Sequence, residues 1–189
     1  TADHVWQDLN GKIEMIIDGG PVGIGVESTI VDVSGDVPAV LRPGAITMEM
    51  LKDVLGEVTI DPAILGPMAE GVRPKAPGMK YKHYAPNAEV TVVEGEKDAV
   101  QSKIKELLEQ TEGKVTGVLT MYGAVYDKAV MLSAGSTNKE YAKNLFAALR
   151  EFDELGVEVV FAEFSEKDGY GLAVKNRLYK AAAQRVIHV

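Results

Sequence analysis

A chain of 189 residues with 46% apolar side chains can bury one medium core or two small ones, and nineteen Gly and eight Pro among well-mixed charges exclude a repeat or low-complexity protein. The formal charge of −8 and a pI near 5.0 argue against holding nucleic acid by bulk electrostatics, which needs clustered Lys and Arg. The absence of Cys excludes disulfides, thiolate nucleophiles and cysteine-held metals, and no run is long and apolar enough to cross a bilayer, so a cytoplasmic location is the expectation.

In chain order, residues 3–9 read as the end of a helix, and the apolar run 13–17, stopped by Asp18-Gly19-Gly20, as a short buried strand. The runs 28–33 and 39–42 flank the turn signal Ser34-Gly35-Asp36 and predict a hairpin. Pro43-Gly44 turns the chain, Thr47 can cap a helix that reaches residue 55 before Gly56, and 58–60 is a further strand. These first sixty residues predict a mixed sheet with too few elements to close a core, so an upstream partner half is expected.

Residues 61–87 differ in character. Five of the eight prolines fall here, with Gly66, Gly71 and Gly78, which reads as an interdomain linker. Lys80-Tyr81-Lys82-His83-Tyr84 is nevertheless rich in aromatic and cationic side chains, the composition of a surface that touches something. From residue 88 onward, strands at 88–93, 115–121, 129–132, 157–164 and 186–189 alternate with helices at 98–110, 138–155 and 171–185. That alternation predicts an α/β unit with a parallel, doubly wound sheet. The expected organisation is therefore 1–60, a linker over 61–87, and 88–189.

Few residues stand out for chemistry. The glycines from Gly19 to Gly25 let a backbone approach a ligand, but a strand follows them rather than a helix, so a connecting loop is the plainer reading than a dinucleotide fingerprint. Ser28 and Thr29 bring two hydroxyls to a strand start, and Arg42 closes the paired strand. If the hairpin forms, the three share one end of it, where a guanidinium can clamp a phosphate. Asp18, Glu27 and Asp32 are too scattered for a metal site and are assigned no role, and the start of the last helix at Gly169-Tyr170-Gly171 reads as a helix entry rather than an anion site.

Several of these stretches resemble the Sua5/YrdC/YciO family, in particular its Sua5 branch. Asp18-Gly19-Gly20 through Gly25-Val26-Glu27-Ser28-Thr29-Ile30-Val31-Asp32 and Leu41-Arg42-Pro43-Gly44-Ala45-Ile46 are similar to the late region of the YrdC signature. Pro77-Gly78-Met79-Lys80-Tyr81-Lys82-His83-Tyr84-Ala85-Pro86 is similar to the Sua5 linker motif, and 171–182 to the last Sua5 helix. The resemblance implies the end of a YrdC-like α/β catalytic domain with a partial mixed sheet, followed by a Rossmann-like Sua5 domain. It also implies a nucleotidyltransferase-type reaction in which L-threonine, bicarbonate and ATP, with Mg2+, give threonylcarbamoyl-adenylate and pyrophosphate, the first step toward the t6A modification of tRNA. A separate transferase then takes the adenylate.

On that resemblance Ser28, Thr29 and Arg42 contact ATP or the adenylate, while Lys80, Tyr81, His83 and Tyr84 close over the pocket. It assigns no catalytic residue here and no metal ligand. The family also uses basic and hydroxyl residues from the first half of the catalytic domain, which this sequence lacks, so the chain is expected to be an inactive fragment by itself. Two other readings stand beside it: a free-standing regulatory, ligand-binding or protein-binding module, and an RNA-binding translation factor. The acidic balance weighs against the latter and against direct tRNA contact.

Overall fold

Two sheets organise the chain, seen in a computed structural model that describes residues 1–64, 66, 74–77, 85–111, 113–166 and 169–189. Helix α1 (Ala2–Leu9) starts on the Thr1 hydroxyl, which accepts from the His4 backbone, and is held to a later helix by Arg150, whose Nη2 meets Asp8 Oδ2 at 2.6 Å. The strand expected at 13–17 does not form, and Met15 and Ile17 stand exposed. A strand needs a neighbour to take its backbone hydrogen bonds, and among the described residues none pairs with this segment.

The expected hairpin is present. β1 (Ile30–Asp32) and β2 (Ala39–Arg42) run antiparallel, with Ile30 opposite Arg42 and Asp32 opposite Ala39. Asp32 Oδ1 accepts from both the backbone and the hydroxyl of Ser34, which sets the turn between the two strands. Helix α2 (Met48–Leu55) carries its N-cap at Thr47, and β3 (Thr59–Ile60) then joins β2 in parallel. Val40, Val58 and Ile64 form the small core beneath this mixed sheet, completed by Leu51 and, from far along the chain, Leu172.

The second sheet is wholly parallel, in the order β6-β5-β7-β4-β8. Its strands are β4 (Glu89–Glu94), β5 (Thr116–Thr120), β6 (Val130–Ser133), β7 (Val159–Phe164) and β8 (Val186–His188). Every residue of β5 and β7 is buried, as expected where helices cover both faces of a parallel sheet. Helix α3 (Lys97–Glu109) buries Val100 and Ile104 on one face with Val93, Val118 and Phe161; α4 (Asn138–Glu154) and α5 (Gly171–Ala181) pack together on the other with Val92, Leu119 and Phe164.

Helix α5 stops at Ala181, four residues short of the expected end. Ala183 and Gln184 take left-handed backbone angles (φ 49° and 66°), turning the chain so that β8 can lie beside β4. Neither residue type signals such a turn in sequence. Among the described residues no helix is long and apolar enough to cross a membrane.

Candidate functional site

Because Ile30 lies opposite Arg42, the segments just before β1 and just after β2 leave the sheet side by side. Arg42 uses this closeness twice: its Nε donates to the Ser28 carbonyl at 2.9 Å and its Nη2 to the Ser28 hydroxyl at 3.0 Å. Among the described residues, Arg42 Nη1 and the Ser28 hydroxyl proton have no acceptor, so both can donate elsewhere. Thr29 is spent internally. Its hydroxyl donates to the Ile46 carbonyl at 2.8 Å and accepts from the Ile46 backbone at 3.1 Å, which fixes the turn after β2.

Gly44 makes the approach possible. A Cβ there would stand 2.5 Å from both the Glu27 carbonyl and the Thr29 nitrogen, inside van der Waals contact. Gly25, a little upstream, allows a second close approach: its φ is +79°, and a Cβ would fall 2.4 Å from the Lys143 carbonyl of α4. The loop therefore lies on α4, where Val22 to Glu27 and Phe146 line an open cavity of about 490 Å³.

From the other side, α5 supplies a buried arginine. Arg177, 5% exposed, donates through Nε to Glu27 Oε2 at 2.8 Å, holds the same oxygen at 2.8 Å with Nη2, and donates through Nη1 to the carbonyls of Pro43 and Ala173. Burial pushes the Glu27 carboxyl up, but the Arg177 charge and hydrogen bond, a backbone N–H and the Arg42 charge outweigh it and hold the group below its ordinary value. Lys180, one turn further along α5, has its ammonium 3.2 Å from Asn176 Oδ1, and its pKa is lowered by burial and by the Arg177 and Arg42 charges, with Glu27 opposing. Arg177 thus pairs directly with the Glu27 carboxylate, and the Arg42 and Lys180 charges interact with it as well, in a chain of net charge −8.

The structure brings Ser28, Thr29 and Arg42 together as the hairpin reading expects. Lys80, Tyr81, His83 and Tyr84 lie outside the described residues. Around them, the described stretches of 61–87 are tied down: Lys75 pairs with Asp61 at 3.0 Å, Ala76 is buried against Leu41, and the Ile64 carbonyl accepts from Asn176 at 3.1 Å. The sequence reading assigns Glu27 no role and does not reach Arg177 or Lys180 as site residues. The available signal is Arg177 itself, a charge set among Ala173, Val174, Leu178 and Ala181 on a buried helix face, where an arginine requires a partner. His188, which has no evident partner in sequence, lies 3.2 Å from Glu94. Among the described residues no group of three His, Cys, Asp or Glu side chains is placed to hold a metal ion.

The family described as threonylcarbamoyl-AMP synthase, C-terminal domain, matches residues 46–183, and the family described as telomere recombination matches residues 1–44. The threonylcarbamoyl-AMP synthase of Pyrococcus abyssi is 49% identical over 100% of this chain and 55% of its own length. That of Bacillus subtilis is 43% identical over 98% and 54%, and that of Schizosaccharomyces pombe 39% identical over 96% and 48%. The crystal structure of P. abyssi Sua5 complexed with L-threonine matches with a TM-score of 0.91 at 49% identity, covering all of this chain and 55% of that one. The chain thus spans about half the length of the curated relatives it matches.

Proposed function

The chain belongs to the Sua5-type threonylcarbamoyl-AMP synthase family, and from that membership we propose that it forms a portion of an enzyme condensing L-threonine, bicarbonate and ATP into threonylcarbamoyl-adenylate and pyrophosphate. In this reading residues 1–60 end the catalytic domain, 61–87 link, and 88–189 form the Sua5 domain. The product passes to the transferase that modifies tRNA, and the acidic balance of the chain weighs against direct tRNA contact.

The observation that carries the reading is the double hydrogen bond from Arg42 to Ser28. It fixes a guanidinium and a hydroxyl side by side with donors to spare, a pairing suited to the oxygens of a triphosphate and of departing pyrophosphate. Thr29 holds the turn that carries them. The apolar loop at Val22 to Val26 with Phe146 offers a surface for the less polar region of a substrate. The linker residues Lys80, Tyr81, His83 and Tyr84 are proposed to close over this pocket. In this reading magnesium arrives on the phosphate oxygens of ATP, which commonly supply its ligands.

Trp6, Met15, Ile17 and Val22 each expose large apolar side chains along the first segment, surfaces suited to cover by a further layer of the enzyme. The complete reaction is therefore assigned to the full-length enzyme, and these 189 residues by themselves are expected to form no adenylate. Isothermal titration of the chain with ATP and magnesium, with and without L-threonine, tests the site. Binding that Arg42→Ala removes supports it; binding indifferent to Arg42→Ala and Ser28→Ala counts against it.

A further inference from the structure

We infer that Arg177 is a positioning residue for the nucleotide site: by holding the Glu27 carboxylate it keeps that charge from pairing with Arg42, so that Arg42 and Ser28 remain available to phosphate. The inference rests on the reading of Ser28 and Arg42 as phosphate contacts.

Glu27 directly precedes Ser28, to which Arg42 is bonded twice, and Arg177 holds both the Glu27 carboxylate and the carbonyl of Pro43, the residue after Arg42. The Arg42 charge is one of the causes that hold the Glu27 carboxyl down. A carboxylate beside a phosphate site does harm in two ways. It repels the incoming anion, and it competes for the cation meant to bind it.

Arg177 removes both problems. It meets Glu27 Oε2 from two nitrogens, each at 2.8 Å, and its third nitrogen is given to the carbonyl of Pro43, the residue after Arg42. One buried side chain therefore spans the two segments that flank the Ser28–Arg42 contact, reaching them from α5 across 150 and 134 residues of sequence. Burying a guanidinium is costly even when it is paired, and it is a poor device for stability alone. The same groups make a good device for placing charge: with Arg177 gone, Arg42 and Lys180 remain as cations that interact with Glu27, and Arg42 would be drawn from Ser28 and from substrate.

The test is affinity for ATP with magnesium and for inorganic pyrophosphate, measured by titration on the chain and on the full-length enzyme, with melting temperature followed for every variant. Arg177→Met is expected to weaken both ligands by about tenfold or more, and Arg177→Lys by less. Adding Glu27→Gln to Arg177→Met is expected to restore affinity to within about threefold of the starting protein, because no carboxylate is left to capture Arg42. A purely structural arginine would give no such recovery, so a double variant as weak as Arg177→Met overturns the inference, as does wild-type affinity in Arg177→Met. Should Arg177→Met fail to fold, Glu27→Gln alone decides: affinity kept or tightened supports the inference, and a tenfold loss overturns it. Arg42→Ala run in parallel separates the two ideas, since unchanged binding there removes the nucleotide reading itself.

Discussion

Glu163, fully buried at the fifth position of β7, accepts the hydroxyl of Tyr126 from the loop that follows β5. The same carboxylate accepts the backbone N–H groups of Met121 at 2.7 Å and Tyr122 at 2.9 Å, so it ties the carboxyl end of one strand to the connection leading out of its neighbour. β5 reaches β6 without a helix, and an acidic side chain supplies the partners that a helix start would otherwise provide.

Replacing Glu163 by Leu should therefore be severe, because three donors, two of them in buried contacts, would lose their acceptor. We expect a loss of about 3–5 kcal/mol in urea unfolding, against about 1–2 kcal/mol for Tyr126→Phe, which removes only one donor. Equal costs for the two substitutions would show that the backbone groups find other acceptors.

Tyr141 presents the opposite case. Its ring is fully buried in α4 and meets Phe164 edge-on at 6.1 Å, yet its hydroxyl has no hydrogen-bond partner among the described residues. Tyr141→Phe should leave stability unchanged or raise it by up to about 1 kcal/mol, since it removes a desolvated group and keeps the packing. Denaturant midpoints measure this directly, and a clear loss would reveal a bridging water on the hydroxyl.

The Glu27–Arg177 pair makes a pH prediction whose sign follows from the depressed carboxyl. A group held below its ordinary pKa of 4.5 contributes its stability above that value and loses it as pH falls through the folded one. The starting protein should thus lose more stability between about pH 6 and pH 3 than Glu27→Gln does. Parallel urea melts at the two pH values check it, and identical losses would mean that Glu27 keeps no special hold on Arg177 in solution.

Much of the fold is legible because local signals and packing agree. β2 falls where its apolar run is bounded by Ser34-Gly35-Asp36 and Pro43, and α4 starts where Thr137 and Glu140 form a reciprocal cap. The failures arise where tertiary demands decide. Residues 13–17 have the composition of a strand but lack a neighbour among the described residues, and Ala183-Gln184 turn left-handed because β8 must reach β4. In the site, Ser28, Thr29 and Arg42 are readable because a hairpin fixes which residues share its end. The role of Glu27 is not, because its partner lies 150 residues away on a helix whose position only the folded chain reveals.

That separation has a temporal side. Leu172 completes the core under the first sheet, Asn176 holds the Ile64 carbonyl, and Arg177 holds Glu27, all from two turns of α5. A ribosome making this chain releases those three residues long after the hairpin has emerged. The segment carrying Ser28 and Arg42 therefore gains these contacts only once α5 has been made, and termination before α5 yields a hairpin whose carboxylate has no arginine from α5 to meet.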